Sequence, residues 1–111
     1  MEKERRRVPR FPFSAPAELV PEDTGGAVST RVKELSLYGC YLELSTPLPR
    51  GTPVLLKIFS GTEFFEARAT VVYVDDHLGI GLAFRNVRAQ YLVMLQKWLQ
   101  AALQELAPPR L

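Results

Sequence analysis

Six short alternating segments, then one stretch with helical spacing, predict an all-β fold, a six-stranded antiparallel β-barrel with a C-terminal α-helix. Three observations carry this. Apolar residues recur with period two between residues 11 and 86, and clusters of Gly, Pro, Asp or Ser interrupt them at short intervals. After residue 88 the period lengthens to that of a helix. With 111 residues and 47% hydrophobic content, the chain reads as one folded domain with a modest core. Its parts are an arm at 1–10, a barrel at 11–86 and a helix at 88–106.

The first segment, Phe11 to Leu19, places Phe11, Phe13, Ala15, Ala17 and Leu19 on one face and Pro12 and Pro16 on the other. Proline has no N–H to give a central strand, so an edge strand or one-sided pairing is expected. Pro21 to Gly26 forms a turn by composition. In the second segment, Ala27 to Leu35, Val28, Thr30 and Val32 share a face. The alternation then breaks, because Glu34 falls where the apolar face should continue, and a bulge or strand end is expected there.

Ser36-Leu-Tyr-Gly39 turns the chain into a third segment, Cys40 to Leu44. Pro47 to Gly51 breaks it again, and Val54, Leu56 and Ile58 mark the inner face of the fourth. Ser60-Gly-Thr62 is a hairpin turn. The fifth and longest segment carries Phe65, Ala67, Ala69, Val71 and Tyr73 on one face. Asp75-Asp-His77 turns into the sixth, where Ile80, Leu82 and Phe84 point inward and Gly79, Gly81 and Ala83 leave room for something to pack on the outer face. Leu92, Leu95, Leu99, Leu103 and Leu106, with Tyr91, Trp98 and Ala102, form a helical stripe wider than a small sheet needs, ended by Pro108-Pro109. The surplus stripe suits a partner protein or a second copy of the chain, making a homodimer, while Trp98 and Tyr91 suit the core.

Composition excludes several classes. Net charge is +2, from 14 Lys and Arg against 12 Asp and Glu, and duplex nucleic acid calls for a broader basic face. Cys40 is the single cysteine, which leaves no intrachain disulfide and fits a reducing, cytoplasmic setting. No apolar run approaches the about 18 residues that span a bilayer, and no leader-like apolar region follows the first basic residues. His77 lies in a turn, Cys40 lacks a partner for zinc or thiol chemistry, and Asp75 and Asp76 read as turn formers. Neither an enzyme nor a resident cofactor is expected.

Two signals remain. Arg5-Arg-Arg-Val-Pro-Arg10 precedes the first strand and holds Arg6 and Arg10 in RxxxR spacing. Glu34-Leu-Ser-Leu-Tyr-Gly39 sits at the break between the second and third strands. Arginine forks grip phosphate bidentately and stack on bases, and a carboxylate accepts from neighbouring N–H donors. This pair of motifs resembles the PilZ domain family, with RxxxR before the first strand and [D/N]xSxxG after the second. Pro47-Leu-Pro-Arg-Gly-Thr-Pro-Val54, Gly79-Ile-Gly-Leu-Ala-Phe84 and the closing helix agree with it over nearly the whole chain.

The resemblance implies a cyclic di-GMP receptor whose arm closes over the ligand and alters the surface shown to a downstream protein partner. Arg6 and Arg10 would take phosphate or guanine O6 and N7. Ser36 would offer a hydroxyl, and Gly39 either a close backbone approach or a positive φ. Arg5 would influence whether one ligand or a stacked pair binds. Glu34 departs from the Asp or Asn of the pattern. Its extra methylene leads one to expect binding weaker by ~1–2 kcal/mol. Two other readings stand beside this one. A barrel of this family that has lost its ligand would act through protein contacts in pilus or motility systems. An oligonucleotide-binding barrel would use the arm and exposed aromatics.

Overall fold

The computed structural model describes residues 9–46 and 48–106. Six antiparallel strands run β1 (Phe11–Pro21), β2 (Val28–Leu35), β3 (Gly39–Glu43), β4 (Pro53–Ser60), β5 (Glu63–Asp75) and β6 (Gly79–Asn86), followed by helix α1 (Ala89–Leu106). They close into a barrel in the order β1-β2-β3-β6-β5-β4, with β4 pairing back onto β1. Closure pairs every strand on both sides along at least part of its length, which is how a small all-β domain limits pairing with other chains.

Closure corrects part of the expectation for β1. The strand is not an edge along its whole length, because Ala17 to Pro21 pair with β4, and Ala17 to Leu19 pair with β2 as well. The proline rule nonetheless decides where that second pairing begins. Pro12 and Pro16 fall in the half of β1 that pairs with β2 alone, so their missing N–H groups cost no ladder bond on the β4 side.

Side-chain alternation places Leu19, Val32, Leu42, Val54, Leu56, Ile58, Phe65 and Ile80 wholly inside the barrel. Fully burying an aliphatic or phenyl side chain of this size contributes about 1.5–3 kcal/mol each. The hairpin between β4 and β5 pairs Ser60 with Glu63 across two residues. Gly61 alone has a positive φ there, at 62°, as a type II′ turn requires.

Helix α1 lies against β1 and β5. The carbonyl of Arg88 accepts from the N–H groups of Tyr91 and Leu92, which starts the helix one residue after the expected point. Leu95, Trp98 and Ala102 are buried, and Tyr91, Met94 and Leu99 pack on the core at their edges. Trp98 stacks on Phe13 with ring centres 5.5 Å apart and donates its indole N–H to Glu63, 3.0 Å away. Lys97 binds the other oxygen of Glu63 at 2.5 Å. Leu92 and Leu103, from the surplus part of the stripe, remain exposed beside Val93. Pro47, the arm through Val8, and Pro108-Pro109 lie outside the described residues.

Candidate ligand-binding site

Strand alternation would bury both Glu34 and Tyr73, since each falls two residues after an inward side chain, Val32 and Val71. Neither is buried, because a bulge precedes each. Val32 pairs with Leu42 and Glu34 with Tyr41, leaving Lys33 unmatched on β2. Val71 pairs with Leu82 and Tyr73 with Gly81, leaving Val72 unmatched on β5. One added residue reverses the facing of everything beyond it. The first bulge is the break expected at Glu34. The second corrects the expectation for Tyr73, which turns outward while Val74 packs toward the core.

Both bulges feed one row. Pro12, Glu34, Tyr41, Gly81 and Tyr73 are successive cross-strand neighbours on β1, β2, β3, β6 and β5. Three strand spacings separate Glu34 from Tyr73, so the row carries them ~14 Å apart along the outer wall. A groove of about 400 Å³ lies over this row, and Arg10, Glu34, Ser36 and Gly39 all line it. Arg5 and Arg6 lie outside the described residues.

Arg10 stands at the root of the arm with its guanidinium 3.9 Å from the Glu34 carboxylate, both side chains being 41–50% exposed. That separation is an ion pair without a hydrogen bond, and in solvent such a pair is worth under about 1 kcal/mol. Arg10 therefore lies beside the groove with no hydrogen bond to Glu34 among the described residues.

Ser36 and Gly39 build the turn between β2 and β3. The Ser36 hydroxyl oxygen accepts from the N–H groups of Tyr38 (3.2 Å) and Gly39 (3.1 Å), and its O–H donates to the Gly39 carbonyl (3.2 Å). The Ser36 N–H also donates to that carbonyl at 2.9 Å. A hydroxyl has one donor and two acceptor positions, so all three are committed to the turn. Gly39 does not have a positive φ. A Cβ there would collide with the backbone carbonyl oxygen of Leu82 on β6. Its bare backbone answers to the neighbouring strand, and the turn it shares with Ser36 shapes one wall of the groove.

The opposite wall was not legible as a site. The room expected outside Gly79 and Gly81 is taken by side chains of this chain. A Cβ on Gly79 would meet the Leu42 carbonyl and the Tyr41 ring, and one on Gly81 would meet the Tyr73 ring. Tyr41 and Tyr73 stack at 6.0 Å with their planes 26° apart. Tyr41 also donates its hydroxyl to Asp75 at 2.9 Å. Burial, then this hydrogen bond, push the Tyr41 phenol up to about 12. The glycines on alternate β6 positions were the available signal, but the partner ring could not be identified without the Val72 bulge.

Cys40 faces the barrel interior in the adjoining row, and burial pushes its thiol well above the usual range, so it stays protonated and inert. His77 has φ 63° in its turn, a conformation His adopts more readily than most residues.

The family model described as "PilZ domain" matches residues 4–101. No curated protein matches the sequence. Among solved structures, the PilZ domain of YcgR from Escherichia coli, solved with c-di-GMP, is similar with TM-score 0.74 and 19% identity, covering 91% of this chain and 93% of that one. The PilZ domain of CeSA from a cellulose-synthesizing bacterium gives TM-score 0.67 and 21% identity, with coverages of 84% and 96%. The Bacillus subtilis inhibitor of motility MotI/DgrA gives 0.73 and 18%, over 92% of this chain and 53% of its own.

Proposed function

The chain belongs to the PilZ domain family, and from that premise we propose that its groove receives cyclic di-GMP and that binding signals to a partner protein. One observation carries the reading. Arg10, Glu34, Ser36 and Gly39, chosen from the sequence for a nucleotide site, line one groove together.

The chemistry assigns different work to each. Arg10, with Arg5 and Arg6 of the arm, supplies guanidinium forks for the phosphates or for guanine O6 and N7. Glu34 accepts from guanine N1–H and N2–H. Ser36 and Gly39 keep the turn in the shape that admits the ligand. The weak Arg10–Glu34 pair makes this arrangement easy to enter. The ligand replaces an exchange of under about 1 kcal/mol with charge-assisted hydrogen bonds worth about 1.5–3 kcal/mol each. The arm closes over the ligand, and the closed state is favoured only by the contacts it adds.

Calorimetry with cyclic di-GMP tests the reading on the wild type, Arg10→Ala and Glu34→Asp. Binding by the wild type and a loss of at least about tenfold in Arg10→Ala are expected. Equal affinity in the wild type and Arg10→Ala would sink it.

A second reading keeps the fold and drops the ligand, so that the domain acts through protein contacts. The exposed apolar residues Leu92, Val93 and Leu103 on α1 favour it. Binding created in Glu34→Asp where the wild type shows none would support this alternative. A change in solution mass on Leu92→Lys and Leu103→Lys would identify a second copy as the partner.

A further inference from the structure

The outer face of helix α1 lies apart from the groove, since no residue of α1 lines it among the described residues. We propose that this face pairs with the same face of a second copy of the chain, the two helices running antiparallel. The pairing rests on the protein-contact reading above, whose apolar surface it gives an occupant, and it holds whether or not the groove takes a nucleotide.

Two stripes run along α1. One, through Tyr91, Leu95, Trp98 and Ala102, packs on the barrel. The other runs through Leu92, Gln96, Leu99 and Leu103, at spacings of 4, 3 and 4 residues. That is the heptad spacing at which two helices keep one seam in contact. The barrel uses only the edge of this second stripe, because Leu99 is half-buried while Leu92 and Leu103 are exposed. Val93, beside the seam, is 64% exposed. A helix face bound for solvent ordinarily carries charge. Helix α1 has only Lys97 and Glu105 among its 18 residues, neither of them in the seam, and Lys97 is drawn to Glu63 on β5.

Charge and symmetry select the occupant. A seam without charge offers a charged partner nothing to pair with. Leu92, Gln96, Leu99 and Leu103 are also placed symmetrically about the midpoint between Lys97 and Trp98. Turned end for end, the stripe therefore meets itself in register, with Leu92 against Leu103 of the second copy and Gln96 against its Leu99. Antiparallel helices also set opposite dipole ends side by side. Gln96 is the one polar residue in the seam, and such a residue fixes register at a cost in stability. Length limits the strength. A helix of 18 residues is ~27 Å long, too short for one seam to reach the ~1,600 Å² of a standard interface. The consequence is a weak dimer, populated between roughly 1 μM and 1 mM.

Sedimentation equilibrium of the whole chain over that concentration range tests the pairing. The wild type should double in mass, and Leu92→Lys should weaken association by at least about tenfold through loss of a buried leucine contact. Adding Leu103→Glu to Leu92→Lys should recover at least about threefold of that loss, because antiparallel pairing sets the new ammonium against the new carboxylate of the second copy. Parallel pairing would set like charges together. Gln96→Leu removes the polar residue from the seam and should tighten association by about fivefold or more, a gain that damage to the fold does not produce. Fluorescence of Trp98, buried against the barrel, confirms folding in each variant. A wild type that stays monomeric to roughly 1 mM overturns the pairing. So does a doubly substituted chain that associates no better than Leu92→Lys alone. Neither result touches the nucleotide reading, which calorimetry decides separately.

Discussion

Two glycines sit one strand apart on the same ladder, and alanine at each should have opposite consequences. At Gly39 the new Cβ would meet the Leu82 carbonyl oxygen, with the Leu82 carbonyl carbon at 3.2 Å and Ala83 Cα at 3.4 Å, all backbone of β6. Backbone in a closed barrel cannot swing aside, so β3 and β6 must part where Gly39 pairs with Ala83. Overpacking costs typically 1–3 kcal/mol, and a strained ladder bond adds about 1 kcal/mol. Replacing glycine where φ is negative returns about 0.4–1 kcal/mol through the unfolded chain. Gly39→Ala should therefore lose about 2 kcal/mol, roughly 8 °C in Tm for a domain of this size. At Gly81 the obstacle is the Tyr73 ring, which can rotate outward, so the loss should stay under about 1 kcal/mol. The single Trp98 reports unfolding by fluorescence in urea or heat, because it is buried between α1 and the barrel. Gly39→Asn decides the cause, since asparagine tolerates a positive φ but carries a Cβ. It should be at least as damaging as alanine. Wild-type stability in Gly39→Asn, or equal losses in Gly39→Ala and Gly81→Ala, would refute the close-approach argument.

Other outcomes follow from single groups. Hydrogen bonds from Lys97 and then Trp98 lower the Glu63 pKa below its ordinary 4.5. A lowered folded pKa gives stability that is present above the unfolded value and lost as pH falls through the folded one. The urea midpoint of the wild type should exceed that of Glu63→Gln at pH 7, and the gap should close toward pH 3. Tyr41 has the opposite sign. Its phenol is raised to about 12 by burial and the Asp75 hydrogen bond, so its contribution is full below pH 10 and lost as pH rises toward 12. Tyr41→Phe should flatten that alkaline loss in thermal melts. Cys40, buried and protonated, should resist Ellman's reagent in the native protein at pH 8 and react fully once the chain is unfolded in roughly 6 M guanidinium, above the about 5 M midpoint that marks even a hyperstable domain.

Much of the barrel was legible because alternation reports which side of a strand faces apolar surroundings. Phe65, Ala67, Ala69 and Val71 read correctly as inward, and so did Ile80 and Leu82. The break at Glu34 was legible for the same reason, since a carboxylate in an apolar position has no stable place inside. The bulge at Val72 left no such trace. Val71, Val72, Tyr73 and Val74 are all acceptable inside or outside, so polarity does not mark the residue that is skipped. Ser36 and Gly39 were legible as a turn, but their individual bonding depends on distances within it. The half-and-half pairing of β1 was hidden because proline forbids a bond without saying which neighbour would have made it.

The sequence by itself determined the strand and helix periods, the breaks between them, and the arginine and serine–glycine motifs, because these depend on local chemistry. Closure, register and the two bulges belong to the tertiary structure, since each is a relation between strands far apart in the chain. The site lies on the second kind of fact. Arg10, Glu34, Tyr41 and Tyr73 come from four strands or their flanks, and only cross-strand register brings them along one groove.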